Sequence, residues 1–320
     1  MSTASYLGPR TQEEWNKALD SLPEHPSKIP VFFFGHGSPM LAMSDDARSS
    51  GFGEATLRYN GPNGPNARFL KDFGPALLKK YNPKAIVVFS AHWDTRGERL
   101  VSDYGDENPL YYDYYGFSPD LYRLKFKSRG DSAISQRVVQ LFKEFGMRAR
   151  TTTKLEARGL DGLHKHSPGF DHGVFVPFRI MFGEEFTKVP IVEVSMDSTL
   201  DPEDNWRIGQ AIKKLREEQI LVISGGLTIH NLRDFPSFAE ETAGQHYKEF
   251  DKAVLQAASE QDAALRKERL KALTRHFAFR AAHPREDHFV PIYVAAGAGE
   301  DGTVKIINGL YGQPTIAFGL

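Results

Sequence analysis

Residues 29–38 read IPVFFFGHGS, and this stretch decides the fold. Its first six residues form a continuous β-branched and aromatic run, which predicts a strand buried on both faces. The same pattern returns in KAIVVFSAHW at 84–93 and in ILVISGGLTIH at 220–230. Because strands of this kind belong to parallel sheets, we predict one α/β domain with a largely parallel central sheet flanked by helices. Each run passes through a turn with Gly or Ser and reaches a histidine: His36, His92 or His230.

These three histidines are expected to meet at one edge of the sheet. Ligands of open parallel sheets bind outside the carboxyl ends of the strands, where the following turns crowd together. A single histidine is usually structural, but three at equivalent strand ends predict a functional site. Histidine is the commonest metal ligand and also titrates near neutral pH, so the site is expected to combine a metal with an acid/base. Small neighbours would let a ligand approach the backbone: Gly35, Gly37, Ala91, Gly225 and Gly226.

The composition excludes several classes of protein. The chain has 320 residues and a net charge of −1, which gives no basic footprint for nucleic acid or a membrane surface. Because cysteine is absent, disulfides, iron–sulfur clusters and cysteine nucleophiles are excluded. The apolar runs are too short for a transmembrane helix, and the N-terminus lacks the pattern of a secretory signal. We therefore expect a cytoplasmic protein whose metal ligands are His, Asp, Glu or backbone oxygen.

Other segments carry local predictions. Residues 1–28 are expected to be an N-terminal extension packed on the body, with a helix over 12–21 that the Thr11 and Glu14 capping-box spacing predicts. The aromatic segment 104–122 is expected to be a long loop, packed rather than lining a site entrance, although both interpretations stay open. The charge run RKERLK at 266–271 is expected to be a solvated helix face. The β character of 303–320 suggests edge strands.

Two further segments hold histidines. GFDHG at 169–173 places His172 just before an apolar run. In HPREDHFVP at 283–291, Pro284 and three charged residues follow His283, which predicts a solvated turn. His288 instead stands where the chain re-enters the core, which is the rigid setting that a metal ligand needs. Exposed or structural roles are expected for the others: His25, His164, His166, His246 and His276.

Five motifs together resemble those of the class III extradiol ring-cleavage dioxygenases, the superfamily of the protocatechuate 4,5-dioxygenase β subunit. The closer resemblance is to its DOPA-dioxygenase-type branch. Each motif is weak alone, but all five in this order are specific. They are GHGSPM at 35–40, SAHW at 90–93, GFDHG at 169–173, SGGLTIHNLR at 224–233 and DHFVPIYVAAGA at 287–298. The resemblance implies that residues 29–320 form an extradiol dioxygenase catalytic domain with its active site at the carboxyl ends of the strands.

The resemblance also implies roles for individual residues. It makes His36, His92 and His288 the metal ligands, His230 the catalytic acid/base, and His172 a second histidine near substrate or dioxygen. Three histidines depart from the common triad of two histidines and one carboxylate. Active relatives use Fe(2+), and Zn(2+) is possible in the same site. The implied partners are O2 and a small aromatic diol, with a DOPA-like compound as one candidate. Both oxygen atoms would enter the ring to give a muconic semialdehyde.

Two alternatives stay open at this stage. A zinc-dependent hydrolase would use the same three ligands to activate water, but the sequence has no HExxH motif and no Glu in the five motifs. A non-catalytic protein on the same fold would use the active-site cleft of the family for binding alone. Such a protein would not need the four histidines His36, His92, His230 and His288. The sequence names neither the catechol nor the oligomeric state.

Overall fold

The computed structural model describes residues 8–43, 53–158 and 167–320. Strands within these ranges are β1 Val31–Gly35, β2 Ala85–Thr95, β3 Arg99–Ser102, β4 Lys127–Ser128, β5 Ala149–Thr152, β6 Glu185–Phe186, β7 Ile191–Asp197, β8 Ile220–Gly226, β9 Val304–Asn308 and β10 Thr315–Phe318. The helices are α1 Gln12–Asp20, α2 Glu54–Asn60, α3 Pro65–Tyr81, α4 Ser132–Glu144, α5 His172–Phe182, α6 Pro202–Ile212, α7 Gln245–Ala258, α8 Ala263–Ala272, α9 Phe279–Ala282 and α10 Pro291–Ala298.

Eight strands form one sheet in the order β5-β3-β7-β2-β8-β1-β10-β9. Its centre is parallel, because β1 pairs with β8, β8 with β2, and β2 with β7 in the same direction. Successive side chains of β1 enter opposite layers. Phe32 and Phe34 pack with α1, α3 and α5, whereas Val31 and Phe33 pack with α4, α6, α7 and α10. The predicted α/β domain with a largely parallel, helix-flanked sheet is confirmed.

The sheet also has antiparallel parts. β3 runs against β7, and β10 runs against both β1 and β9. Val31 lies opposite Phe318, so the first and last strands of the chain are neighbours. The prediction of edge strands is therefore right for β9 and wrong for β10, which has a partner on each side. Local sequence gave no sign of that position, because it depends on pairing between distant residues.

The N-terminal helix forms as its capping box predicts. Thr11 Oγ1 accepts from the Glu14 amide at 3.3 Å, and Glu14 Oε2 accepts from the Thr11 amide at 3.0 Å. Trp15 is buried, and its Nε1 donates to Asp72 of α3 at 2.9 Å. Among the residues described, no helix combines the length and apolar character needed to cross a membrane.

The charge run at 266–271 is only partly a solvated face. The prediction is wrong for Arg266, whose side chain is fully buried. Its guanidinium donates to the carbonyl oxygens of Glu260, Gln261 and Gly302 at 2.8, 3.3 and 3.1 Å. Arg266 thus supplies hydrogen-bond donors to backbone carbonyls that the fold brings beside α8, a need that local sequence does not reveal.

A candidate metal centre and its cavity

The carboxyl ends of three adjacent parallel strands bring the predicted histidines together. His36 follows β1 directly, and its amide donates to the Gly226 carbonyl at the end of β8 at 3.3 Å. His92 was expected in a turn after its strand, and this detail is wrong. β2 continues to Thr95 through an irregular pairing with β7 between Phe89 and Asp94, so His92 lies within the strand.

His288 joins this group from the turn before α10. The amide of Leu227 donates to the His288 carbonyl at 2.8 Å, which ties the end of β8 to this turn. Gly226 lies so close that an added Cβ would stand 2.6 Å from the same carbonyl oxygen. Glycine is therefore required at position 226 for the two segments to approach.

His36, His92 and His288 each present a ring nitrogen, and these atoms lie within 4.8 Å of one another. The Nε2 atoms of His92 and His288 are 2.9 Å apart. At metal–nitrogen distances of about 2.0–2.1 Å, two ring nitrogens this close could both bind one ion. His36 is 1% exposed, and neither of its ring nitrogens has a hydrogen-bond partner among the described residues. A cation shared by these three rings would satisfy one of the two buried ring nitrogens of His36, so the residues fit a metal ion.

The protonation state of His36 also favours a metal ion at these residues. Burial, together with the neighbouring His92 and His288, lowers the pKa of His36 well below its ordinary value. A neutral imidazole is the form that binds a metal.

Among the described residues, two other groups also bring potential ligand atoms within 4.8 Å of one another: His92 with Asp113 and His172, and His230 with Asp287 and His288.

A carboxylate lies behind His92. Asp171 Oδ1 is 3.1 Å from His92 Nδ1 and accepts from the Ser90 hydroxyl and the Gly173 amide, both at 2.8 Å. An Nδ1–H facing this oxygen leaves Nε2 free toward His288 and His36. Burial alone would lower the pKa of His92, but Asp171 and Asp113 outweigh it and leave that pKa raised.

Behind Asp171 lies a fully buried charged group. Arg158 Nη2 is 2.6 Å from Asp171 Oδ2 and 2.7 Å from Glu193 Oε1, and the guanidinium lies 4.7 Å from the centre of the Trp93 ring. Burial raises the pKa of Glu193 well above its ordinary value. Burial also opposes ionisation of Asp171, but Arg158 and His92 hold the pKa of Asp171 well below the usual range. Burial therefore favours the protonated form of Glu193, whereas Arg158 and His92 favour the ionised form of Asp171.

Two more histidines, His172 and His288, also face carboxylates. Asp113 Oδ1 lies 2.8 Å from His172 Nδ1 and accepts from the His172 amide at 2.9 Å. Asp287 Oδ1 lies 3.2 Å from His288 Nδ1. No sequence pattern pointed to Asp113, Asp171 or Glu193 as functional residues. Glu193 had the clearest signal, because it is a lone acidic residue in the apolar strand VPIVEVS at 189–195.

His230 lies against His288. The two rings stack with centroids 3.4 Å apart and an angle of 12° between their planes. The His230 amide donates to the Ala282 carbonyl at 2.9 Å, which fixes the backbone of the loop after β8. Burial and the neighbouring His288 lower the pKa of His230 well below its ordinary value, so its imidazole is neutral.

The solvated turn predicted after His283 is present, with Pro284 and Arg285 exposed, but the prediction is wrong for His283 itself. Its side chain is fully buried, and its Nε2 donates to the Thr228 carbonyl at 2.8 Å. Burial lowers its pKa to about 3. His25 and His246 are exposed and His276 is half-buried, as expected. His164 and His166 lie outside the described residues.

A cavity of about 450 Å³ opens onto the histidines. Its histidine wall consists of His36, His92, His172, His230 and His288. The aromatic loop at 104–122 has both predicted roles: Tyr114 is buried beside His172, and the loop also lines the cavity. Further lining residues are Met40, Asn60, Asp94, Tyr111, Asp113, Tyr115, Phe117, Leu227, Ile229, Leu232, Phe235, Phe238, Arg285, Asp287 and Gln313.

Residues 30–319 match the family described as the catalytic LigB subunit of aromatic ring-opening dioxygenase. The chain belongs to this family. A relative from Schizosaccharomyces pombe, "4,5-DOPA dioxygenase extradiol-like protein", is 41% identical over 307 residues, covering 96% of this chain and 97% of the relative. A "4,5-DOPA dioxygenase extradiol" from Beta vulgaris is 28% identical over 292 residues, covering 90% and 94%.

A solved structure of an uncharacterized Escherichia coli K12 protein shares the fold. It is 22% identical, superposes with a TM-score of 0.63, and the match covers 91% of this chain and 100% of that one. The family match and the curated relatives, rather than this structure, confirm the resemblance to class III extradiol dioxygenases and support an extradiol-type dioxygenase. The roles of the individual histidines stay predictions.

Proposed function

We propose that this LigB-family protein is a metal-dependent extradiol dioxygenase. It would open a catechol-type ring with both atoms of O2 to give a muconic semialdehyde. The observation that carries the proposal is the cluster of His36, His92 and His288, whose ring nitrogens lie within 4.8 Å of one another on the wall of the cavity. In this proposal residues 29–320 are the catalytic domain, and the active site is at the carboxyl ends of β1, β2 and β8.

His36, His92 and His288 would hold the metal, with Fe(2+) for activity and Zn(2+) possible in the same site. Ferrous iron bound there would supply the electron transfer that allows O2 to react with a catecholate. Among the described candidate groups, this set alone includes His36, whose two ring nitrogens are buried without partners. His92 and His288 already face carboxylates with Nδ1, which leaves Nε2 as the ligand atom in each. Three neutral imidazoles add no negative charge to the site, which favours an anionic catecholate.

His230 would be the general acid/base. Its neutral ring lines the cavity and lies directly against His288. A neutral imidazole can accept a hydroxyl proton as the catechol binds and return it as the ring opens. General acid/base assistance of this kind is worth about 10²–10⁴-fold in rate. His172, which Asp113 holds and whose ring centre lies 4.1 Å from that of His92, would face the substrate or O2.

The sequence argues against the hydrolase alternative because the five motifs hold no HExxH and no Glu that could act as a carboxylate base. That reason weakens, because Asp94, Asp113 and Asp287 line the cavity. Each of them is engaged, however: Asp113 by His172, and Asp94 and Asp287 by Arg285. Together with the family relatives, this arrangement favours the dioxygenase over a zinc hydrolase.

The test is anaerobic loading with Fe(2+), followed by addition of catechols and O2. We expect consumption of one O2 per catechol and a yellow ring-opened product. Protein loaded with Zn(2+) is the matched control, because a redox-inert ion in the same site should give no O2 uptake. Absence of O2 uptake with every catechol, or hydrolytic turnover by the zinc form, would contradict the proposal.

A further inference from the structure

The cavity in front of the histidines is larger than a single catechol ring needs. A closed apolar cavity of about 150 Å³ holds one benzene ring, whereas this cavity measures about 450 Å³. In the proposed function the two hydroxyl groups of the catechol face the metal, so a substituent at ring position 4 points away from the metal. The lining residues that lie farther from the histidines therefore decide which substituent can bind.

The aromatic loop at 104–122 forms one apolar wall of the cavity. The ring centre of Tyr114 lies 5.6 Å from that of His172 and 5.5 Å from that of Phe117, and both aromatic residues line the cavity. Tyr115 also lines the cavity and is 70% exposed. Because a largely exposed residue that lines a cavity lies at its rim, this wall runs from His172 to Tyr115 at the mouth.

The segment that follows His230 forms a second apolar wall. The ring centre of Phe238 lies 6.0 Å from that of His230, and the ring centre of Phe235 lies 6.2 Å from that of Phe238. Leu232 lines the same cavity and is 61% exposed. Single exposed leucines are ordinary on protein surfaces, but Leu232 and Tyr115 share the rim of one cavity whose wall is aromatic. Apolar surface around a cleft marks a binding site for an apolar group.

The charged side chains among the described lining residues are already paired. Arg285 Nη1 lies 2.8 Å from Asp287 Oδ2, and Arg285 Nη2 contacts Asp94. Asp113 faces His172. A charged group on the substituent would therefore lose hydration among aromatic rings and meet only charges that are already engaged. An uncharged apolar group instead gains free energy when it leaves water for the same surroundings.

We propose that the site takes a catechol with an uncharged apolar chain or ring at position 4, and that Leu232 and Tyr115 contact the end of this substituent. The inference rests on the proposed function and names its substrate class. Leu232 and Tyr115 would be specificity-determining residues rather than part of the ring-opening chemistry.

The first test is a series of catechols with a methyl, ethyl, propyl or butyl chain at position 4. Dissociation constants are measured by anaerobic titration of the Fe(2+) protein, and O2 uptake is measured separately. Each added methylene should tighten binding about two- to fourfold, because full burial of one CH2 group is worth about fourfold. The butyl compound should therefore bind about 8–60-fold more tightly than the methyl compound.

A second comparison keeps the length of the butyl chain and changes its end. In 3-(3,4-dihydroxyphenyl)propylamine an ammonium group replaces the terminal methyl group, and 3-(3,4-dihydroxyphenyl)propanoate ends in a carboxylate. Both compounds should bind about five- to tenfold more weakly than 4-butylcatechol, because each loses the burial of a methyl group and brings a charge to an apolar rim.

Variants at the rim test the two named residues. Leu232→Asn keeps the approximate volume of the side chain but makes it polar, so the ratio of butyl to methyl affinity should fall about threefold or more. Tyr115→Asn tests the other wall in the same way. Leu155→Asn is the matched control, because Leu155 is 96% exposed and is not among the described lining residues. Since all three side chains are exposed, these substitutions should leave the fold intact.

The outcomes separate the two proposals. Equal affinity along the chain-length series in the wild type, or tighter binding of either charged compound than of 4-butylcatechol, would overturn the inference while O2 uptake still supported the dioxygenase. A length dependence unchanged in both Leu232→Asn and Tyr115→Asn, or weakened equally in Leu155→Asn, would also overturn it. If the length dependence requires the rim residues but no catechol is oxidised, the substrate-binding inference stands and the proposed reaction fails. If no catechol binds, both proposals fail.

Discussion

Replacing Arg158 by methionine should strongly destabilise the protein. The guanidinium lies 2.6 Å from Asp171 and 2.7 Å from Glu193, and all three side chains are fully buried. Methionine fills much of the same space but leaves the Asp171 carboxylate buried without its counter-ion. Removing one partner of a buried ion pair costs about 3–5 kcal/mol. With an unfolding entropy of about 2.1 cal/mol/K per residue, this cost lowers the Tm of the 320-residue chain by about 4–8 °C.

A double variant separates stability from metal binding. Arg158→Met with Asp171→Asn removes both charges, so it should recover most of the lost stability of the metal-free protein. Metal affinity should stay about 10–100-fold weaker than in the wild type, because His92 Nδ1 no longer faces a carboxylate. Calorimetry of the metal-free protein measures the recovered stability, and titration with Zn(2+) measures the metal affinity.

Arg123→Met is the control for this experiment. Arg123 forms an exposed ion pair with Asp120, so its loss should change the free energy of unfolding by less than about 1 kcal/mol. If Arg158→Met destabilised the protein no more than this control, the assignment of a buried ionised Asp171 would be refuted. Full metal affinity in the double variant would refute the role of Asp171 in orienting His92.

Three more predictions concern other residues. His230→Gln should keep the wild-type metal content but slow O2 uptake about 10²–10⁴-fold, and metal loss would show that His230 is a ligand. His288→Ala should abolish tight metal binding. His283→Ala should keep the metal but lose about 1–3 kcal/mol of stability, because its hydrogen bond to the Thr228 carbonyl is lost. Metal analysis and calorimetry test both, and metal loss in His283→Ala but not in His288→Ala would contradict the assignment. Burial raises the pKa of Asp251 from 3.8 to about 6, so the folded state binds more protons than the unfolded state between these values. The contribution of Asp251 to the free energy of unfolding is therefore greatest below pH 3.8 and falls by about 3 kcal/mol as the pH rises through 6. Denaturation of Asp251→Asn between pH 4 and 7 should lack this pH-dependent loss of stability.

Features of the fold that follow from a local sequence pattern, or from the fold class that the pattern indicates, could be predicted from the sequence. The apolar runs that became β1, β2 and β8 could be predicted because a strand buried on both faces leaves a continuous signal. Parallel pairing then forces their carboxyl ends together, so the proximity of His36, His92 and His230 followed from fold class alone.

Features that depend on distant partners could not be predicted. The residues after His283 have the composition of a solvated turn, yet its ring is buried because the Thr228 carbonyl needs a donor there. Asp113 and Asp171 look like ordinary loop residues until the fold places them against His172 and His92. Glu193 was visible as an anomaly in an apolar strand, but its meaning required Arg158, which stands in a different segment.

The pairing of β1 with β10 has a consequence for synthesis on the ribosome. β1 emerges among the first strands, but its two neighbours, β8 and β10, begin only at residues 220 and 315. Both edges of the segment with Phe32, Phe33 and Phe34 lack a partner until β8 is made, and the edge that meets β10 lacks one until the synthesis of β10. An open strand edge is a template for pairing with other chains. The segment that carries His36 is thus made early and protected late, and a nascent chain halted before β10 would present an aggregation-prone edge beside the proposed metal site.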